Sequence, residues 1–275
     1  MRRVLVGWVL ILLMIMAGSC GGGSSTNASL PVSNVMQLQG GNWVFEGGSD
    51  PAIVAPLILG AILSQSNANV VISIAPLSPC LTPASVPTVQ STATATGLTV
   101  TATFGDATLT MVLTGGGTKM TGTYTITGGC ASGEHGTVTA TYVPPVTGTW
   151  KGTVTSIFPG AQSHDVTLTL AQSDTPTFAF YTLTGTAQIA GTTCMSTATI
   201  GPGTPFSAPS PVPSVITGST LTMNLTAPDA TTATAIATLV PTGYDKQMNL
   251  IISGSSFAGG SPCPEIAGSG ILTKQ

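Results

Sequence analysis

The sequence predicts an all-β protein with two tandem antiparallel domains, each a β-barrel or a β-sandwich. Three observations predict this fold. Apolar and polar residues alternate with a period of two in many short segments. Gly, Asn, Asp and Pro separate these segments at short intervals, as antiparallel meanders require. A tryptophan motif with similar neighbours occurs twice in the chain.

The alternation is clearest at Leu98–Phe104, where Leu98, Val100, Ala102 and Phe104 share one face and threonines occupy the other. Threonine is β-branched and suits a pleated, half-buried surface. One apolar and one polar face per strand predict a sheet that packs on one side and meets water on the other. Six further segments repeat the pattern: Leu109–Leu113, Tyr124–Ile126, Val138–Tyr142, Val166–Leu170, Leu221–Leu225 and Met248–Ile252.

An internal duplication is indicated by Gly41-Asn42-Trp43 and its repeat Gly148-Thr149-Trp150. A glutamine follows each tryptophan after 22 residues, at Gln65 and Gln172. Such a shared interval predicts one fold used twice. We therefore expect domains at 41–145 and 146–275. The tryptophans are expected to fill the two cores, and the glutamines to satisfy backbone groups at strand ends. The apolar stretch Pro51–Ile62 fits either a short helix or a buried strand.

Four cysteines divide evenly between the copies, with Cys80 and Cys130 in the first and Cys194 and Cys263 in the second. Three pairings are possible, and the duplication favours one disulfide per copy, Cys80–Cys130 and Cys194–Cys263. No Cys or His pair is close enough in sequence for a typical zinc site. Disulfides indicate an oxidising compartment.

The Gly-x-Trp openings at Gly41–Trp43 and Gly148–Trp150 resemble the first strand of the calycin barrels, the lipocalins and the avidin group. This resemblance favours a barrel for each domain. In lipocalins an arginine packs across that tryptophan, but this chain has no arginine beyond Arg3. A sandwich is the alternative, though not an immunoglobulin domain, whose core tryptophan lies between its bonded cysteines.

The N-terminus is typical of a secretory signal: Arg2 and Arg3 precede a short apolar run, Val4–Met16. The segment Met16–Cys20 resembles the lipobox of bacterial lipoproteins. The resemblance implies a signal peptide over 1–19, lipidation of Cys20, and a membrane anchor followed by a flexible linker over 20–40. It also implies an outer-membrane lipoprotein that faces the periplasm or the cell surface. In overall appearance the chain is similar to the Thr- and Gly-rich lipoproteins of Gram-negative bacteria.

Charge is scarce, since only 5% of the residues are charged. Beyond the signal the cations are Lys119, Lys151, Lys246 and Lys274, against nine acidic residues. Nucleic-acid binding needs clustered Lys and Arg, so this class of partner is excluded.

Catalytic signals are sparse. The histidines, His135 and His164, are expected in solvated turns. The acids Asp106, Asp174, Asp229 and Asp245 look like turn formers. No catalytic, cofactor-binding or metal-binding residue is predicted, and no cofactor is expected. The leading hypothesis is a non-catalytic envelope protein that binds or scaffolds, with an apolar-ligand carrier and a hydrolase as the alternatives.

Overall fold

The computed structural model describes residues 35–49, 57–81, 86–157, 162–203, 212–256 and 264–275. The described part is all-β, with two antiparallel sheets and two short 3-10 helices. No described helix has the length and apolar character needed to cross a bilayer. Cys20, Cys263 and the predicted signal peptide lie outside the described residues.

The first sheet, here called barrel 1, contains eight strands in an up-and-down order. Its strands are β1 Gly41–Ser49, β2 Leu57–Ser66, β3 Asn69–Pro76, β4 Thr88–Ala93, β5 Gly97–Phe104, β6 Ala107–Gly116, β7 Lys119–Thr127 and β8 His135–Tyr142. Each strand pairs with its sequence neighbour, except at β3 and β4, and β8 returns to pair with β1. At the remaining seam the Ser91 hydroxyl of β4 donates to the Val70 carbonyl of β3.

The second sheet, barrel 2, closes fully. Its strands are β9 Gly148–Ser156, β10 Ser163–Gln172, β11 Tyr181–Ile189, β12 Thr197–Gly201, β13 Val215–Thr217, β14 Thr220–Thr226, β15 Thr232–Leu239, β16 Gln247–Ser256 and β17 Gly268–Lys274. β17 pairs with β9, and β10 pairs with β11. Both β12 and β13 lie between β11 and β14, so they form one barrel strand in two pieces. Barrel 2 therefore has the same eight strand positions as barrel 1.

The predicted alternation is confirmed in these strands. On β5, Leu98, Val100 and Ala102 are at most 1% exposed, while the intervening threonines face outward. The same side-chain period places threonines of neighbouring strands opposite one another, as in Thr103–Thr108 and Thr108–Thr127. The open choice between barrel and sandwich is resolved as barrels.

The stretch Pro51–Ile62 is a strand where it is described, because Leu57–Ile62 begins β2. Five consecutive residues of β2, Leu59–Leu63, are buried. The strand lacks alternation because its inner face fills barrel 1 while Gly60 and Ile62 on its outer face contact barrel 2. Residues 51–56 lie outside the described part.

The two barrels use the same register around the repeated motif. Trp43 of β1 faces Ala61 of β2, four residues before Gln65. Trp150 of β9 faces Leu168 of β10, four residues before Gln172. The tryptophans and glutamines thus occupy matching positions in the backbone pairing of the two barrels, as the predicted duplication requires.

The predicted pairing of Cys80 with Cys130 is confirmed, with 5.5 Å between the Cα atoms. Cys80 lies in the 3-10 helix Pro79–Leu81, and Cys130 lies in the β7–β8 connection. The bond joins the end of β3 to that connection across barrel 1. Cys194 is also disulfide-bonded. Its predicted partner Cys263 is outside the described residues, so that pairing stays a prediction.

Replacing Cys80 and Cys130 together by serine should lower the free energy of unfolding of barrel 1 by about 4 kcal/mol. This value is the chain entropy of a closed loop of this length, 50 residues in sequence separation. Denaturant unfolding of the oxidised protein and of the variant measures the difference. Reductant should leave the barrel 1 transition of the variant unchanged, and equal stability of the two oxidised proteins would contradict the prediction.

Candidate functional site

The barrel interiors are filled by their own side chains. In barrel 1, Phe45, Leu109 and Met111 are 0% exposed, and Phe104 is 3% exposed. In barrel 2, Met223, Leu239 and Met248 are 0% exposed. A cavity that admits water would leave accessible area on the side chains around it. The inward residues without accessible area therefore line no such cavity, which agrees with the capacity of small eight-stranded barrels.

Trp43 and Trp150 close one end of each barrel core, and each is 0% exposed. Their indole N–H groups donate to backbone carbonyls four residues earlier, at Gln39 (2.8 Å) and Val146 (2.9 Å). The glycine two residues before each tryptophan has a positive φ, +127° at Gly41 and +133° at Gly148. The Gly-x-Trp motif is thus explained by a backbone turn that L side chains rarely adopt, followed by a core residue.

The two glutamines satisfy backbone donors of the segment that leads into each barrel. Gln65 Oε1 accepts from the Leu38 N–H at 2.7 Å, and Gln172 Oε1 accepts from the Val146 N–H at 3.2 Å. The Gln65 amide also donates to the Met36 carbonyl at 2.8 Å. Both side chains therefore hold the entry segment against the first hairpin, as the sequence predicts for them.

The residue across each tryptophan differs between the copies. In barrel 1, Tyr142 packs edge-on against Trp43, with ring centroids 6.1 Å apart. In barrel 2, Lys274 occupies the matching position, with its Nζ 5.5 Å from the Trp150 ring centroid. A lysine thus lies where the resemblance to lipocalins implies an arginine. Sequence reasoning missed Lys274 because the comparison considered arginine alone.

Side chain and backbone of barrel 1 contact the backbone of the β13–β14 turn in barrel 2. The Asn42 side chain makes a pair of hydrogen bonds with Gly218 in the β13–β14 turn: its amide donates to the carbonyl at 2.8 Å, and its oxygen accepts from the N–H at 2.9 Å. Gly60 lies against the same turn, where a Cβ would sit 2.7 Å from the Gly218 nitrogen. Such an approach requires glycine at position 60.

Apolar and polar side chains extend this junction. Val44 and Ile62 project from the outer face of barrel 1 and join the apolar cluster of barrel 2. The Tyr244 hydroxyl donates to Glu46 at 3.2 Å. Burial, and then the charge of Glu46, raise the pKa of this phenol above its usual value. The junction was not predicted, since its residues are far apart in sequence and come together only when the two barrels pack against each other.

A junction cavity of 240 Å³ opens where the barrels meet. It lies beside the Gly-x-Trp motif of barrel 1 and below the β10–β11 connection of barrel 2. Burial, followed by the neighbouring Tyr142, raises the pKa of the Tyr181 phenol above its usual value. The lining includes Gly41, Tyr142, Thr147, Gln172, Asp174 and Tyr181.

The two histidines, both expected in solvated turns, differ in their exposure. His135 is exposed at the start of β8, and its Nδ1 lies 3.0 Å from the Gly133 carbonyl. The prediction for His164 is wrong: it lies within β10, is 5% exposed, and its Nδ1 is 3.0 Å from the Ala190 carbonyl. Its ring faces inward near the end of the barrel, because β10 starts earlier than the turn expected at Asp165.

The buried position of one acidic residue was also not predicted from the sequence. Glu134 is 3% exposed and accepts a hydrogen bond from the Tyr124 hydroxyl at 2.9 Å. It points inward beside the outward-facing His135, so the two side chains do not form a pair. Asp229 accepts from the Thr231 N–H at 3.0 Å, the turn role expected for it. Across the described residues no group of three or more His, Cys, Asp or Glu is placed to hold a metal ion.

Comparison with protein families, curated proteins and solved structures finds no match to this chain. The all-β fold of two antiparallel barrels is shown by the structure alone.

The glycine requirement at the junction is testable with a matched pair of variants. Gly60→Ala should destabilise the protein by about 1–3 kcal/mol, because its Cβ would overlap the backbone of Thr217 and Gly218. Gly48→Ala, on the neighbouring strand, meets nothing within 4 Å and should be neutral or slightly stabilising. Denaturant unfolding of both variants measures the difference, and equal losses of stability would contradict the junction.

Proposed function

We propose that this chain is a non-enzymatic lipoprotein of the bacterial envelope that binds or scaffolds through the outer surfaces and junction of its barrels. The observation that carries the proposal is the filled interior of both barrels. Since Phe45, Met111 and Met223 leave no room inside, a ligand or partner has to be met from outside.

Placement outside the cytoplasm is supported by independent features. The Cys80–Cys130 disulfide is of the kind that persists in oxidising compartments. The lipobox-like segment ending at Cys20 would supply a membrane anchor through the lipidated cysteine. A neutral threonine surface and the scarcity of cations fit a protein that acts on neither nucleic acid nor anionic surfaces.

Membership of the calycin barrels is also a proposal. Its support is the up-and-down order of eight strands, the Gly-x-Trp motif on the first strand of each barrel, and Lys274 across Trp150. The second candidate, a carrier of a small apolar ligand, is not favoured, because carriers of that fold keep an interior that their own side chains do not fill.

Lipidation at Cys20 is tested in a Gram-negative host supplied with an alkyne-labelled fatty acid. The full chain should incorporate the label and fractionate with membranes. Cys20→Ala should lose the label and accumulate as unprocessed or soluble protein. The double variant Cys20→Ala/Ser24→Cys is the control for cysteine position, and it should also remain unlabelled. Normal labelling of Cys20→Ala would reject the anchor.

The filled interior is tested with a neutral apolar fluorophore, N-phenyl-1-naphthylamine. The full chain should show no saturable binding, because no interior cavity can accept the probe. Phe45→Ala should create a cavity lined by apolar side chains, at a cost of about 3–5 kcal/mol of stability, and a small probe such as benzene should then bind. Saturable binding of the fluorophore to the unmodified chain would favour the carrier.

A further inference from the structure

The nearly buried Tyr181 lines the junction cavity and has a hydroxyl without a hydrogen bond to the described residues. Tyr181 is 9% exposed, and within the described part of the chain its hydroxyl makes no hydrogen bond. The position that a Cβ would take on Gly41 lies 3.8 Å from the Tyr181 hydroxyl oxygen and 3.8 Å from that of Tyr142. Two phenol hydroxyls from different barrels therefore converge on the space beside Gly41. Both hydroxyls are placed to bind a ligand in that space.

The remaining lining offers further hydrogen-bonding groups. The Thr147 hydroxyl accepts from the Gln172 N–H at 3.1 Å, which leaves its proton available. The Gln172 side-chain nitrogen donates to none of the described residues. The carboxylate of Asp174 is exposed at the rim and accepts from none of them. Donors and acceptors are therefore mixed around one space.

The charge of the lining selects the chemistry of the ligand. Asp174 is the charged residue of the lining, and the Lys274 ammonium lies beside the lining, where it donates to the carbonyl of the lining residue Pro145 at 3.3 Å. One carboxylate and one ammonium leave the site without net charge, so a ligand without net charge matches it. A polyhydroxylated ligand suits the mixture, because each of its hydroxyls can both donate and accept. The tyrosine rings add apolar surface for its C–H faces.

We propose that the junction cavity binds a neutral polyhydroxylated ligand of monosaccharide size, such as a hexose or an N-acetylhexosamine unit. Its volume of 240 Å³ is slightly below the roughly 300–1,000 Å³ of sites for drug-sized ligands. The cavity thus accepts one sugar unit, either free or at the end of a longer glycan.

The two barrels differ in the segments around this cavity, which supports a specific binding site. In barrel 1 the β2–β3 turn is the tight Ser66–Asn69 connection, whereas barrel 2 has residues 173–180 between β10 and β11. This longer connection supplies Asp174 and leads into Tyr181. At the matching position in barrel 2, a Cβ on Gly148 would lie 2.9 Å from Lys274 Cε, so that space is occupied. Among the described residues, the cavity has no counterpart at this position of barrel 2, and its lining comes from both barrels.

The inference deepens the binding role under "Proposed function" and rests on it, but it does not depend on lipidation. Failure of Cys20 labelling would leave the cavity as it is, and failure of sugar binding would leave the anchor as it is. The two outcomes are distinguishable because they are measured on different parts of the chain.

The test is saturation-transfer NMR and calorimetry on the full chain with glucose, galactose and N-acetylglucosamine, up to about 10 mM, a range that covers millimolar affinity. At least one sugar should bind saturably with one site per chain. Tyr181→Phe, which keeps the ring and its packing, should weaken binding about 3- to 10-fold through the loss of one hydrogen bond. Asp174→Asn should weaken it to a smaller extent.

Tyr244→Phe is the matched control, because it removes another junction hydroxyl, one that is already bonded to Glu46 outside the cavity. It should leave the affinity unchanged. The proposal is overturned if none of the sugars binds, or if Tyr181→Phe and Tyr244→Phe behave alike. Preferential binding of tetramethylammonium, used as a cationic comparator for the tyrosine rings and Asp174, would overturn it as well.

Discussion

Closure of eight short strands into a ring is the constraint on which the rest of this structure depends. A ring of that size has an interior that side chains can just fill, so every second residue must be apolar and of suitable volume. Phe45, Met111 and Met223 occupy that space, and a tryptophan closes one end of each barrel. The outward side chains do not pack in the core, so threonine can occupy most outward positions. The interior therefore serves stability.

The junction imposes a second constraint on a few outward positions. Contact with barrel 2 requires Gly60 to lack a side chain, Asn42 to pair with the Gly218 backbone, and Val44 with Ile62 to be apolar. β1 and β2 therefore lack the outward threonines that most other strands carry. Duplication alone would give two independent copies. The altered positions join the copies, and the same contact creates the cavity beside Tyr142 and Tyr181.

Sequence reasoning reached the features that local pattern encodes. The period-two alternation identified the strands because each barrel strand has one packed and one wet face. The Trp43 and Trp150 motif revealed the repeat because it combines a special backbone turn with a plug. His164 and β2 were harder, since burial at a strand start or on both faces of a strand depends on neighbours distant in sequence. The cavity could not be predicted, because Tyr142 and Tyr181 come together only after both barrels fold and dock.

The rows of threonine around both barrels have a consequence for how the protein responds to its medium. Hydroxyl groups hydrate the surface without charge, and charged residues make up only 5% of the chain. Dissolved salt acts mainly by screening charges, so it has little to weaken in this molecule. In the proposed envelope location, the salt content of the medium changes with the surroundings of the cell. We expect barrels coated with hydroxyls to keep most of their stability across such changes.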